Sequence, residues 1–129
     1  MVIDAMPPIP RPELRATRDA IRAGAPLIHN LTSAVVANFT ANALLALGAS
    51  PAMVEAAEEV AAFAAVADAL VINLGSLTTA RAAVMLSAAR AANAAGTPWV
   101  LDPVAAGAIA QRTAFGLELC ALRPAAIRG

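Results

Sequence analysis

An α/β fold with a mainly parallel sheet flanked by helices is predicted by three features of this 129-residue sequence. Short apolar runs alternate with helical patterns along the whole length, and parallel neighbours need a helix in each crossover. The run Ala69-Leu70-Val71-Ile72-Asn73-Leu74 is continuously apolar but for one residue and ends at Gly75-Ser76, the pattern of a strand buried on both faces. Two long helical patterns stop at a glycine, at Gly48 and at Gly96, with a proline a few residues beyond each.

Taken in order, residues 7–12 are proline-rich and predict an irregular lead-in to a short helix over 13–22, closed by Gly24 and Pro26. Residues 27–29 predict a brief strand, and the polar cluster Asn30, Thr32 and Ser33 suits a cap for the next helix. Val36, Phe39, Ala43 and Leu47 have the spacing of that helix, with Gly48 as its terminating residue. A strand over 51–54 and a helix over 55–66 follow, the latter with Glu55, Glu58 and Glu59 near its start, where carboxylates favour the helix dipole. After the strand at 69–74, Thr78 or Thr79 caps a helix reaching Ala95, and residues 99–102 form a strand halted by Pro103. A helix over 113–122 and a strand over 125–128 complete the reading. A chain that stops one residue after an interior-looking strand looks truncated, and such a partial sheet would leave an unpaired edge.

Composition removes several classes of function. Nine acidic residues balance nine basic ones, all arginine and dispersed, so no basic surface for nucleic acid is expected. Hydrophobic residues make up 60% of the chain, yet no run of about 18 uncharged apolar residues exists to span a membrane. The start of the chain lacks a secretory pattern and Cys120 stands alone, so a reducing, cytoplasmic setting is expected. The apolar excess suits a subunit interface and predicts an oligomer.

In open α/β sheets ligands bind beyond the carboxyl ends of the strands. That places Asn30 to Ser33, Met53, Asn73 with Gly75, Asp102 with Pro103, and Arg128 with Gly129 on one edge. An acid, an arginine and small polar groups together suit a phosphate-bearing ligand and a divalent cation. Each has a plainer role open to it: Met53 as core, Asp102 as a strand-ending turn residue, Asn30 and Ser33 as helix caps, Gly75 as a strand stop, and Arg128 as a solvated charge. His29 has no second histidine or cysteine at ligand spacing and reads as structural.

The segment from Asn38 through Phe39-Thr40-Ala41-Asn42 and Leu47-Gly48-Ala49-Ser50-Pro51-Ala52-Met53 is very similar to a hallmark of hydroxyethylthiazole kinases. Glu58-Glu59-Val60, Asn73-Leu74-Gly75, Leu101-Asp102-Pro103-Val104, Arg112-Thr113 and Ala126-Ile127-Arg128-Gly129 extend the resemblance from about Pro26 to the end. Residues 26–129 thus resemble the amino-terminal part of that kinase domain, with residues 1–25 as lead-in and first helix. The resemblance implies a ribokinase-like fold, ATP and Mg2+, and a homotrimer with active sites between subunits. Its activity is phosphorylation of the hydroxyl of 4-methyl-5-(2-hydroxyethyl)thiazole in thiamine salvage.

By motif position, Met53, Ser33 and Asn30 are substrate-side candidates, Asp102 belongs to the metal and phosphate site, and Arg128 contacts ATP. The family's further metal acid and its glycine-rich anion loop, which carries the group that activates the hydroxyl, fall after the position of Gly129. The 129 residues alone are therefore expected to be inactive. The sequence departs from the family at Ser33, where an asparagine is usual, at Ala105, where glycine is common, and at Ile109-Ala110, where Thr-Pro is usual. A non-catalytic homologue or binding module of the same fold is the alternative. A flavodoxin-like or Rossmann-type nucleotide binder is disfavoured by the lack of a Gly-x-Gly-x-x-Gly turn after the first strand.

Overall fold

The structure is a computed structural model that describes residues 11–129. In chain order the elements are α1 (Arg11–Gly24), β1 (Leu27–Leu31), α2 (Ala37–Leu47), β2 (Ser50–Ala52), α3 (Val60–Val66), β3 (Ala69–Asn73), α4 (Thr79–Ala95), β4 (Trp99–Asp102), α5 (Ala110–Ala121) and β5 (Ala126–Ile127). The five strands form one sheet in the order β2-β1-β3-β4-β5, every neighbouring pair parallel. The predicted α/β class is therefore the observed one.

Register decides which side chains become core. Partners across the ladder share a face, so His29 with Leu70, Leu31 with Ile72, Leu70 with Trp99 and Ile72 with Leu101 build one continuous apolar surface. All six are buried. Against them pack Val60 and Ala64 of α3, Met85, Ala88, Ala89 and Ala92 of α4, and Leu119 of α5. Alanines at the α3–α4 contact let those helices lie close to each other and to the sheet. The opposite face is less covered: Ile28, Val71 and Val100 are half-buried, and no residue of α1 or α2 is buried. Right-handed crossovers explain the asymmetry. The β1-to-β2 step runs one way across the sheet and every later step the other, which sends α2 to the face away from α3, α4 and α5.

Several boundaries differ from the sequence reading, each for a local reason. The lead-in before residue 11 lies outside the described residues, whereas Pro12 sits in the first turn of α1, where a missing N–H costs nothing. Asn30 and Leu31 belong to β1, because the ladder to Val71 and Ile72 claims them. Asn30 and Ser33 consequently make no side-chain cap; α2 starts after Val36, with no side-chain cap hydrogen bond. The helix expected from Glu55 starts only at Val60, the carboxylate of Glu55 being engaged by Arg81 instead. The strand expected over 51–54 is Ser50–Ala52, an edge strand in which Pro51 is tolerated. β5 is shorter than expected, and Ile127 is 57% exposed.

The helix stops hold as predicted. Gly48 has φ 97° and Gly96 φ 76°, left-handed conformations that glycine adopts without strain, and Thr78 caps α4 by accepting from the Arg81 N–H. The far end of α4 is fastened by Asn93, which accepts from Trp99 Nε1 at 2.8 Å and donates to the Leu122 carbonyl at 2.7 Å.

The one-sided core predicts a steep contrast between two leucines. Leu101→Ala, at a fully buried position, is expected to destabilise by about 2–5 kcal/mol. Leu117→Ala, on the outer side of α5, is expected to change stability by no more than about 0.5 kcal/mol. Urea unfolding followed by circular dichroism measures both.

Candidate functional site

Strand order locates the site before any side chain is considered. β2 lies on one side of β1 and all later strands on the other, so the chain's winding reverses between β1 and β3. The carboxyl ends of those two strands diverge into a crevice, the usual ligand position in such sheets. Ser33 follows β1 and Gly75-Ser76 follows β3. They meet there, Ser33 Oγ lying 3.1 Å from Ser76 Oγ.

Gly75 is required by this approach. A Cβ on it would stand 2.7 Å from Ser33 Cβ and 2.8 Å from Asn73 Oδ1, closer than atoms pack. The Gly75 N–H instead donates to Asn73 Oδ1 at 2.8 Å. From Asn73 the contacts continue along the sheet edge. Asn73 Nδ2 donates to Asp102 Oδ2 at 2.8 Å, and Arg128 Nη1 reaches the same oxygen at 2.8 Å. Asp102 and Arg128, 26 residues apart in sequence, thus form an ion pair at the ends of β4 and β5. Its members are unequal: the Asp102 side chain is 15% exposed, Arg128 78%.

Asn30 and Met53 are placed differently. Asn30 is 1% exposed within β1, its Nδ2 donating to the Ile28 carbonyl at 2.8 Å while Oδ1 has no partner among the described residues. Met53 is half-buried just after β2 and makes no hydrogen bond that ties it to the Asp102 group. The segment around Met53 is held by two anchors. His29 Nε2 donates to the Val54 carbonyl at 2.8 Å, and Arg81 Nη1 bonds Glu55 at 2.8 Å. Arg81 Nη2 also donates to the Thr32 carbonyl at 2.6 Å, so one guanidinium joins α4 to the loops that carry Ser33 and Met53. Beside it lies an open cavity of about 210 Å³ lined by Leu31, Glu55, Ala57, Ala80, Arg81, Val84 and Met85.

Neither Arg81 nor the anchoring role of His29 was singled out from the sequence. A signal existed for the first. An arginine in the first turn of a helix opposes the helix dipole, so it asks for an acidic or carbonyl partner nearby.

Among the described residues no cluster of three or more His, Cys, Asp and Glu side chains is built to hold a metal. A single carboxylate is nonetheless compatible with magnesium, which takes one or two protein carboxylates and completes its shell with phosphates and water. Asp102 has an oxygen to offer: Oδ1 accepts no hydrogen bond among the described residues and is not enclosed.

Fold and edge together define the class: a doubly wound parallel α/β domain whose strand ends carry a carboxylate, an arginine and a glycine that lets two loops meet. Residues 19–129 match the hydroxyethylthiazole kinase family. The chain is 60% identical over 112 residues to hydroxyethylthiazole kinase of Klebsiella pneumoniae, covering 87% of this chain and 44% of that protein. To the same enzyme of Yersinia enterocolitica it is 61% identical over 108 residues, 84% of this chain and 42% of the other. A solved structure of hydroxyethylthiazole kinase protein from Pyrococcus horikoshii superimposes with TM-score 0.84 at 46% identity, covering 87% of this chain and 44% of that one. The chain belongs to the hydroxyethylthiazole kinase family. It spans less than half the length of the relatives it matches.

Two predictions follow from the local geometry. Ala105, one of the positions where the sequence departs from the pattern it resembles, has φ 62°, a left-handed conformation disfavoured for any residue with a Cβ. Ala105→Gly is therefore expected to raise stability by about 1 kcal/mol, read from the thermal midpoint. His29 is buried with Nδ1 unpartnered among the described residues, and burial, against the smaller opposing effects of the Val54 carbonyl and the Glu55 charge, lowers its pKa from the ordinary 6.5. The unfolded chain then binds the proton more readily than the folded one. The stability that the neutral ring contributes is full above about pH 6.5 and is lost as pH falls from there toward the lower folded value. Thermal unfolding between pH 7.5 and 5.5 should show this loss in the wild type and a smaller one in His29→Gln.

Proposed function

We propose that this chain carries substrate-side and phosphate-side groups of a kinase that transfers the γ-phosphoryl group of ATP to the hydroxyl of 4-methyl-5-(2-hydroxyethyl)thiazole, a step of thiamine salvage. The observation that carries the reading is the pairing of Asp102 with Arg128 beside the β1/β3 crevice, in a chain whose family membership is established by sequence and by fold.

Phosphoryl transfer asks the protein mainly to align the reactants and to neutralise charge on the phosphates. On this reading Asp102 holds the Mg2+ of Mg–ATP, which when bound neutralises the phosphate oxygens. Arg128, mostly exposed and tethered among the described residues at one carboxylate oxygen, can turn its remaining N–H groups to a phosphate. Ser33 and Met53 face the thiazole alcohol. Asn30, the third substrate-side candidate, is enclosed within β1, with its Oδ1 unpartnered among the described residues. Arg81, through Thr32 and Glu55, keeps those two substrate loops at a fixed spacing.

The apolar side chains exposed just before and within the first turn of α2, Val35 at 89% and Phe39 at 77%, support a homo-oligomer, a trimer by family resemblance, in which they are covered. A cytoplasmic setting accords with the free Cys120 and with the use of ATP. No helix among the described residues is long and apolar enough to cross a membrane. Ser33, whose hydroxyl meets Ser76, favours a second reading, a binding module that takes the alcohol without phosphorylating it.

The test is ATP-dependent phosphorylation of the thiazole alcohol by the polypeptide as the cell makes it. Asp102→Asn and Arg128→Ala are each expected to lower kcat/KM by about 100-fold or more. Wild-type turnover in Asp102→Asn overturns the assignment of the metal site, and binding of the alcohol with no turnover in the wild type establishes the binding module instead.

A further inference from the structure

The geometry points to Asn73 as a positioning residue that fixes the orientation of Asp102, so that Oδ2 is occupied by protein donors and Oδ1 is presented to a divalent cation. This rests on the metal role of Asp102 given above and adds a residue to it.

Two facts determine which way the Asn73 amide points. A backbone N–H can only donate, so the side-chain atom facing the Gly75 N–H at 2.8 Å is the carbonyl oxygen Oδ1. The remaining atom, Nδ2, must then be the one 2.8 Å from Asp102, and it donates. The amide is locked at one end by the turn and reads the carboxylate with the other. Asn73 and Asp102 are also direct partners in the β3–β4 ladder, so their Cα atoms are held side by side by the backbone as well.

The same carboxylate oxygen takes both available donors. Asn73 Nδ2 and Arg128 Nη1 each reach Asp102 Oδ2 at 2.8 Å, while Oδ1 accepts none among the described residues. Two donors on one oxygen leave the carboxylate a single rotational setting, with an open lone-pair face on the other oxygen. The two donors differ in permanence. Arg128 is 78% exposed and is the group expected to turn toward a phosphate, whereas Asn73 is half-buried and held by Gly75. When the arginine leaves, Asn73 is the contact that keeps Asp102 in place. Partners of this kind, one step removed from the metal, typically change metal affinity or activity by about 10- to 100-fold when removed.

Three substitutions test this in the polypeptide as the cell makes it, with Mn2+ in the presence of ATP followed by electron paramagnetic resonance. Asn73→Ala removes the donor, and Mn2+ affinity is expected to fall about 10-fold and kcat by about 10- to 100-fold, with KM for the thiazole alcohol within about twofold. Asn73→Asp keeps the shape and the acceptor for Gly75 but sets a second carboxylate oxygen, with its negative charge, against Asp102 in place of the donor. It is expected to fold as the wild type does and still to lose at least about 10-fold in kcat. A residue that only held the turn would tolerate Asn73→Asp, so wild-type kcat in that variant overturns the proposal. Unchanged Mn2+ affinity in a folded Asn73→Ala protein overturns it too. Asp102→Asn separates the two levels: if it abolishes Mn2+ binding while Asn73→Ala leaves it intact, this inference alone fails, and if it has no effect, the metal assignment itself fails.

Discussion

Pairing of β1 with β3 is the constraint on which the other features depend. Four ladder partners, from Ile28 with Ala69 to Leu31 with Ile72, align two strands separated by a whole α2-β2-α3 excursion. Because side chains alternate strictly along a strand, that register decides at once that His29, Leu31, Leu70 and Ile72 face α3, α4 and α5 and that Asn30 and Val71 face the other way. A slip of one residue would turn His29 from its Val54 anchor and take Leu31 out of the core. The same pairing displaces β2 to the far side of β1, creates the reversal of winding, and so opens the crevice where Ser33 and Gly75 meet.

Around that crevice the polar groups divide into two sets with different physics. One lies inward: His29, whose pKa burial lowers, and Arg81, whose guanidinium joins two loops through the Thr32 carbonyl and the Glu55 carboxylate. Its value is geometric, since an ion pair that remains partly solvated adds little net stability. The other set lies on the rim. Asp102, Asn73 and Arg128 make short contacts but leave a carboxylate oxygen and most of an arginine open. The interior contacts fix the loops, and the open oxygen and guanidinium of the rim are what a ligand meets.

Much of this was legible along the chain. The alternation of strands and helices, the glycine stops at Gly48 and Gly96 and the cap at Thr78 are local matters of periodicity and backbone preference, and they hold to within a few residues. Errors fell where a long-range partner overrode a local preference. Asn30 looked like a cap and became a strand residue because Val71 pairs with it; Glu55 looked like a helix start and was taken by Arg81, 26 positions later. The candidate edge was readable in outline because strand carboxyl ends follow from strand positions, yet the sequence could not say that Asp102 and Arg128 touch while Asn30 is enclosed.

What the sequence determined by itself was the kind of fold, the position of its strands and, through a long and specific motif, its family. Those depend on patterns within about twenty residues and on a segment long enough to be distinctive. What only the tertiary structure decided was the strand order, the one-sided core, the Arg81 bridge and the two donors converging on a single oxygen of Asp102. The physical reason is that each of these joins residues whose separation along the chain carries no information about their separation in space.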